Sequence, residues 1–124
     1  MSEIAFKDMK VLRAMFTVAW HPYLIALLMW LKVRYHKTSV VITDAYRDGD
    51  KGVHGSVPLR GLDLRSTVFE NPQQICDDIN NEWLYDPKRP DMKVAILHDI
   101  GKGIHIHLQV HPNTIWVKNG AKNT

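Results

Sequence analysis

Residues 104–110 read Ile-His-Ile-His-Leu-Gln-Val, and this alternation constrains the fold more than any other stretch of the chain. Apolar side chains stand at 104, 106, 108 and 110, and polar ones at 105, 107 and 109. A period of two belongs to a β-strand, whose successive side chains point to opposite faces. Such a strand buries its Ile, Ile, Leu and Val row and presents His105 and His107 side by side on the other face. A helix would scatter both rows around its circumference. The chain therefore needs a sheet with one dry face and one face carrying two imidazoles.

A second cluster reads Val53-His-Gly-Ser-Val-Pro-Leu-Arg-Gly-Leu-Asp63. Within 61–65, Leu62 and Leu64 alternate with Asp63 and Arg65, which predicts another strand. An Asp on the inner row of a strand needs a cation or a hydrogen-bond partner. His54 lies in a Gly-bounded loop just upstream. Two imidazoles and a carboxylate, with one position left for water, are the donor set of a catalytic zinc ion. No His-Glu-x-x-His occurs, which excludes the helix-based zinc proteases. After His107 the chain holds no Asp or Glu, so the carboxylate must come from upstream, where Asp63 is best placed.

With 124 residues the chain has room for one domain, 1–124, and a real core. A net charge of +3 suits anionic partners such as cell-wall polymers. No run of Lys and Arg interleaved with aromatics appears, so no nucleic-acid partner is expected. The single cysteine, Cys76, allows no internal disulfide and sits beside Ile75 and Ile79 as a buried structural thiol. Residues 14–31 are apolar almost throughout and approach the roughly 20 residues of a membrane span. His21-Pro22 interrupts them, and Pro suits the start of a helix better than its middle. No small-residue cleavage site follows before Lys32 and Arg34. Two packed elements are expected, with no signal peptide and no stable membrane insertion. The chain would be cytoplasmic as synthesised and would reach a cell wall only on release. A small membrane-associated protein built on 14–31 is the reading set against this one.

The coarse order is a helix over 6–18, a helix over 22–35 with Leu24, Leu27, Leu28 and Leu31 on its core face, and a strand over 40–43. A turn-rich loop at 48–52 leads to the strand over 61–65. Asn71-Pro72 caps and starts a helix reaching Glu82 or Trp83. A loop at 86–90, a strand over 94–97 and the histidine strand complete the chain, and 120–124 reads as a frayed tail. The fold class is α+β with a small, mostly antiparallel sheet.

Taken together, Thr43-Asp-Ala-Tyr-Arg47, His54 with Gly61-Leu-Asp-Leu-Arg65, and Ile104-His-Ile-His-Leu-Gln-Val110 resemble the D-alanyl-D-alanine peptidase and hedgehog-type zinc fold. That group includes the M15 peptidases, penicillin-insensitive murein endopeptidases and small phage lysis enzymes. The resemblance covers residues 38–111. It implies that His54, Asp63 and His107 bind Zn2+, that His105 contacts the reacting water or substrate, and that Arg47 holds a substrate carboxylate or carbonyl oxygen. It implies a zinc metallopeptidase acting on peptidoglycan stem peptides, as a carboxypeptidase or an endopeptidase. The chain departs from the family in three ways. The eight residues between His54 and Asp63 exceed the usual spacing, and Val57-Pro58 can carry the excess outward. Gly52 stands where a Ser is common. The Glu of a Glu-x-x-Trp-His motif is missing.

The missing Glu leaves the general base to Asp99, His98 or His105. Asp99 precedes Gly101-Lys-Gly103, a turn able to aim it over the metal, and is taken as the base with His105 as its electrostatic partner. A turn or cap residue is the bland alternative for Asp99. His21, His36 and His111 lack a partner pattern, Trp83, Tyr85 and Trp116 read as core or rim, and Lys102, Arg60 and Arg65 read as solvated. Arg65 could also support Asp63. A zinc-bearing module of the same fold that binds without turnover is the alternative function, favoured by the missing Glu.

Overall fold

The computed structural model describes residues 3–99, 101 and 103–117. In chain order the elements are β1 (Ile4–Phe6), α1 (Met9–Thr17), α2 (Pro22–Arg34), β2 (Val40–Asp44), β3 (Gly61–Arg65), α3 (Pro72–Glu82), β4 (Trp83–Leu84), β5 (Ala95–Asp99), β6 (Ile104–Gln109) and β7 (Ile115–Trp116). Five strands form a sheet in the order β1-β2-β3-β6-β5, and β4 pairs with β7 in a separate two-stranded ribbon. Only β1 and β2 run parallel; β2-β3, β3-β6 and β5-β6 are antiparallel. The class is α+β, as the sequence predicts. The tail at 120–124 and Lys102 lie outside the described residues.

The first helix starts later than expected because Asp8 caps it, its carboxylate accepting the Val11 N–H at 2.9 Å. Residues 4–6 instead add a parallel edge strand to β2. Parallel pairing needs a long crossover, and α1 with α2 supplies it. Three residues without alternation carry no strand signal of their own. The apolar run at 14–31 divides between these two helices. His21 caps α2 by accepting the Tyr23 N–H through Nδ1 at 3.1 Å, and Pro22 opens the first turn. Among the described residues no helix is long and apolar enough to cross a membrane.

Asn71 caps α3 by accepting the Gln74 N–H at 3.2 Å, and Ile75, Cys76 and Ile79 are buried on that helix. Asn80 also sets where β5 begins. Its Oδ1 accepts the N–H groups of Val94 (3.1 Å) and Ala95 (3.0 Å), and its amide donates to the Ala95 carbonyl at 2.8 Å. The strand consequently starts at Ala95, one residue later than the apolar run at 94–97 suggests.

The predicted alternation sets the core. Leu62 and Leu64 of β3, Ile106 and Leu108 of β6, and Val40 and Ile42 of β2 have no exposed surface. They pack with Met15 of α1, Leu24, Leu27 and Leu31 of α2, and Ile79 of α3 in one cluster. Each fully buried side chain of this size contributes about 1.5–3 kcal/mol. The opposite face of the same strands is left for polar groups.

Candidate metal centre

Asp63 on β3 stands directly opposite His107 on β6. Opposed residues in an antiparallel pair share a face with Cβ atoms about 4.5–5.5 Å apart, close enough for these two side chains to meet. The loop after β2 supplies the third group. His54 sits in a 3-10 turn over Val53–Gly55, and its carbonyl accepts the Arg47 N–H at 2.7 Å, closing the loop on itself. Two glycines make the approach possible. A Cβ on Gly55 would lie 1.8 Å from the Asp50 carbonyl oxygen, and one on Gly61 would lie 2.3 Å from Val53 Cγ2. Their bare backbones let the turn lie flat on the start of β3, which drops His54 onto Asp63.

The eight residues between His54 and Asp63 only partly swing outward. Val57 is exposed, but Leu59 returns to full burial and its N–H donates to the Ala19 carbonyl at 2.8 Å. The excess length is thus tied to the segment joining α1 and α2.

His54 Nε2 lies 3.3 Å and His107 Nδ1 2.9 Å from the same Asp63 Oδ1. The three ligand atoms all lie within 4.8 Å of one another. His54 and Asp63 are each 4% exposed. Burial opposes ionisation of Asp63, yet hydrogen bonds from His107 and His54 hold its carboxyl far below the usual carboxylate range. Burial alone would also lower His54; Asp63 and the Ala45 carbonyl outweigh it, and the imidazolium is favoured overall. Two nitrogens and one carboxylate oxygen, converging in a buried corner, can hold a metal ion.

Above this group opens a cleft of about 840 Å³, walled by Lys7, Lys10 and Val11 at the start of α1 and by Thr43 and Arg47 at the end of β2. His105 also lines it, and His105 Nδ1 lies 3.1 Å from Thr43 Oγ1. Thr43 falls at a register shift between Ile42 and Asp44, an extra residue that turns the strand toward the cleft. His98 of β5 stands opposite His105 and lines the same cleft, its ring 6.3 Å from that of His107.

Asp99 is not brought to this cluster. It stands opposite Ile104, on the face away from His98 and His105, and its Oδ1 accepts the Gly101 N–H at 2.9 Å. Strand alternation therefore makes it a turn residue. Arg47 does line the cleft, but its Nε lies 3.4 Å from Asp44 and its Nη2 3.3 Å from Asp50. Arg60, expected to be solvated, donates from Nη1 to the Val110 carbonyl at 3.3 Å. Arg65 is exposed on the row of Asp63, opposite His105. Trp83 and Tyr85 are buried and Trp116 is half exposed. Sequence reasoning passed over Thr43 and Gln109. Gln109 shares the polar row of His105 and His107, a signal that was available; the bulge that turns Thr43 had none.

No protein-family model, no curated protein and no solved structure matches the chain.

Proposed function

We propose that the chain is a zinc-dependent amide hydrolase of the D-alanyl-D-alanine peptidase and hedgehog type, acting on peptidoglycan stem peptides. The observation that carries this reading is the convergence of His54, Asp63 and His107 on the floor of an open cleft. Two imidazoles and a carboxylate match the three-ligand set of hydrolytic zinc sites. His54, Asp63 and His107 would hold the zinc ion, whose chemistry there would be to acidify water towards a pKa of about 7 and to polarise a scissile carbonyl.

His105 is the general base in this reading, in place of Asp99. It faces the cleft, and Thr43 Oγ1 at Nδ1 steadies its ring, leaving Nε2 to take a proton from water and return it to the departing amine. Imidazole is well matched to that exchange near neutral pH. His98 adds a second imidazole beside it. Arg47, anchored by Asp44 and Asp50, keeps half its surface open and can hold a substrate carboxylate or carbonyl oxygen. A binding module without turnover is the second reading. It is favoured by the state of the other cleft carboxylates, since Asp8 caps α1 and Asp44 pairs with Arg47.

Metal analysis and incubation with defined muropeptides test this reading. About one zinc per chain is expected, with cleavage of a stem or cross-link peptide. His105→Ala should keep its zinc and lose about 10²–10⁴ in rate. Full zinc retention by both His54→Ala and His107→Ala would overturn the centre. Zinc binding without cleavage by the unaltered protein would select the binding module.

A further inference from the structure

We infer that Gln109 is a positioning residue for His107: it holds the Nε2–H of that ring, so that Nδ1 is the nitrogen that meets the metal, opposite Nε2 of His54. Gln109 is 7% exposed, and its side chain is held at both ends. Its Nε2 donates to the Lys93 carbonyl at 2.7 Å. A backbone carbonyl can only accept, so the amide nitrogen must face Lys93 and the amide oxygen must face away. That oxygen lies 3.1 Å from His107 Nε2. It too can only accept, so a proton of His107 resides on Nε2. Nδ1 faces Asp63 Oδ1 at 2.9 Å, where it either donates a proton to the carboxylate or gives its lone pair to a metal.

His54 is arranged the opposite way round. Its Nδ1 lies 2.7 Å from the Ala45 carbonyl, which places a proton there and turns Nε2 to the same carboxylate oxygen at 3.3 Å. Two ring nitrogens and an anionic oxygen thus face one another in a buried corner, and either protons on the nitrogens or a metal cation must bridge them. A metal held there would take the place of those protons, each ring ligating through the nitrogen already turned to Asp63. The partner of His54 is a backbone group, so among the described residues Gln109 is the side chain whose removal frees a ligand to choose its nitrogen. Such outer partners orient a ligating imidazole and raise its basicity, and their loss costs roughly 10–100-fold in metal affinity.

This inference rests on the metal centre proposed above, and the test separates the two. The ring ¹⁵N shifts of His107 in the zinc-loaded protein report directly which nitrogen keeps its proton. The Nε2–H form is expected in the unaltered protein and a mixture in Gln109→Met, which keeps the shape and loses the acceptor. Zinc affinity of Gln109→Met should fall about 10–100-fold, and Gln109→Glu, which keeps an acceptor oxygen, should recover most of it. An Nδ1–H form in the unaltered protein overturns the inference even if Gln109→Met does not fold. So does a folded Gln109→Met with unchanged tautomer and affinity. An unaltered protein that takes up no zinc overturns the metal centre, and the coordination mode with it.

Discussion

The two faces of β3 and β6 are built from alternating residues of the same strands, yet they obey different rules. Leu62, Leu64, Ile106 and Leu108 are sealed in the core, while Asp63, His105, His107 and Gln109 stand one residue away facing the cleft. The dry face is held by non-directional contact, and another apolar residue of similar volume would serve. The wet face depends on direction: which nitrogen carries a proton, which oxygen accepts, which backbone can approach. Stability and chemistry are separated by a single peptide unit. A slip of one residue in the pairing would exchange them.

The sharpest way to break this comparison is to alter neighbours. Ile106→Ala should cost about 2–5 kcal/mol in denaturant unfolding through its cavity, while the folded fraction still binds zinc. His107→Ala should abolish zinc binding and change the stability of the metal-free protein far less. If both variants lose the same property, the two faces are not separate.

A smaller effect is expected at Gly61, where the faces meet the His54 loop. Gly61→Ala pushes against Val53 and should cost about 1–3 kcal/mol in thermal or chemical unfolding. Because Val53 precedes His54, zinc affinity should drop as well. A loss of stability with unchanged affinity would show that the loop relaxes without moving His54.

The smallest effect belongs to the core alone. Burial first, and Asp77 second, push the Cys76 thiol up to about 11. Alkylation by iodoacetamide near pH 8 should therefore be slow in the folded protein and rapid after unfolding. The raised value also gives a sign. The buried thiol stabilises the fold below its ordinary value of 9.0, and this contribution is lost as pH rises towards about 11. Cys76→Ala should remove that part of the alkaline loss, as measured by melting temperature across the same range.

Much of the fold was legible because its signals are local. The alternation at 61–65 marks β3, Asn71-Pro72 marks the start of α3, and Pro22 marks that of α2. Where reading failed, the deciding partner was distant in sequence. The first residues form a strand because β2 is there to receive them. Arg60 is tied down by Val110, fifty residues away. Asp99 looked aimable because a flexible turn follows it, but pairing with Ile104 set its face before the turn could act.

By itself the sequence determined the chemistry available: which residues carry imidazole or carboxylate, and which strand rows they occupy, since a period of two assigns faces without knowledge of neighbours. Only the tertiary structure decided how those rows meet. The register that sets Asp63 against His107, the close backbone fit at Gly55 and Gly61 that lowers His54, and the Lys93 carbonyl that orients Gln109 all join residues far apart in the chain. Alternation says which way a side chain points; only register and hydrogen-bond direction say what it finds there.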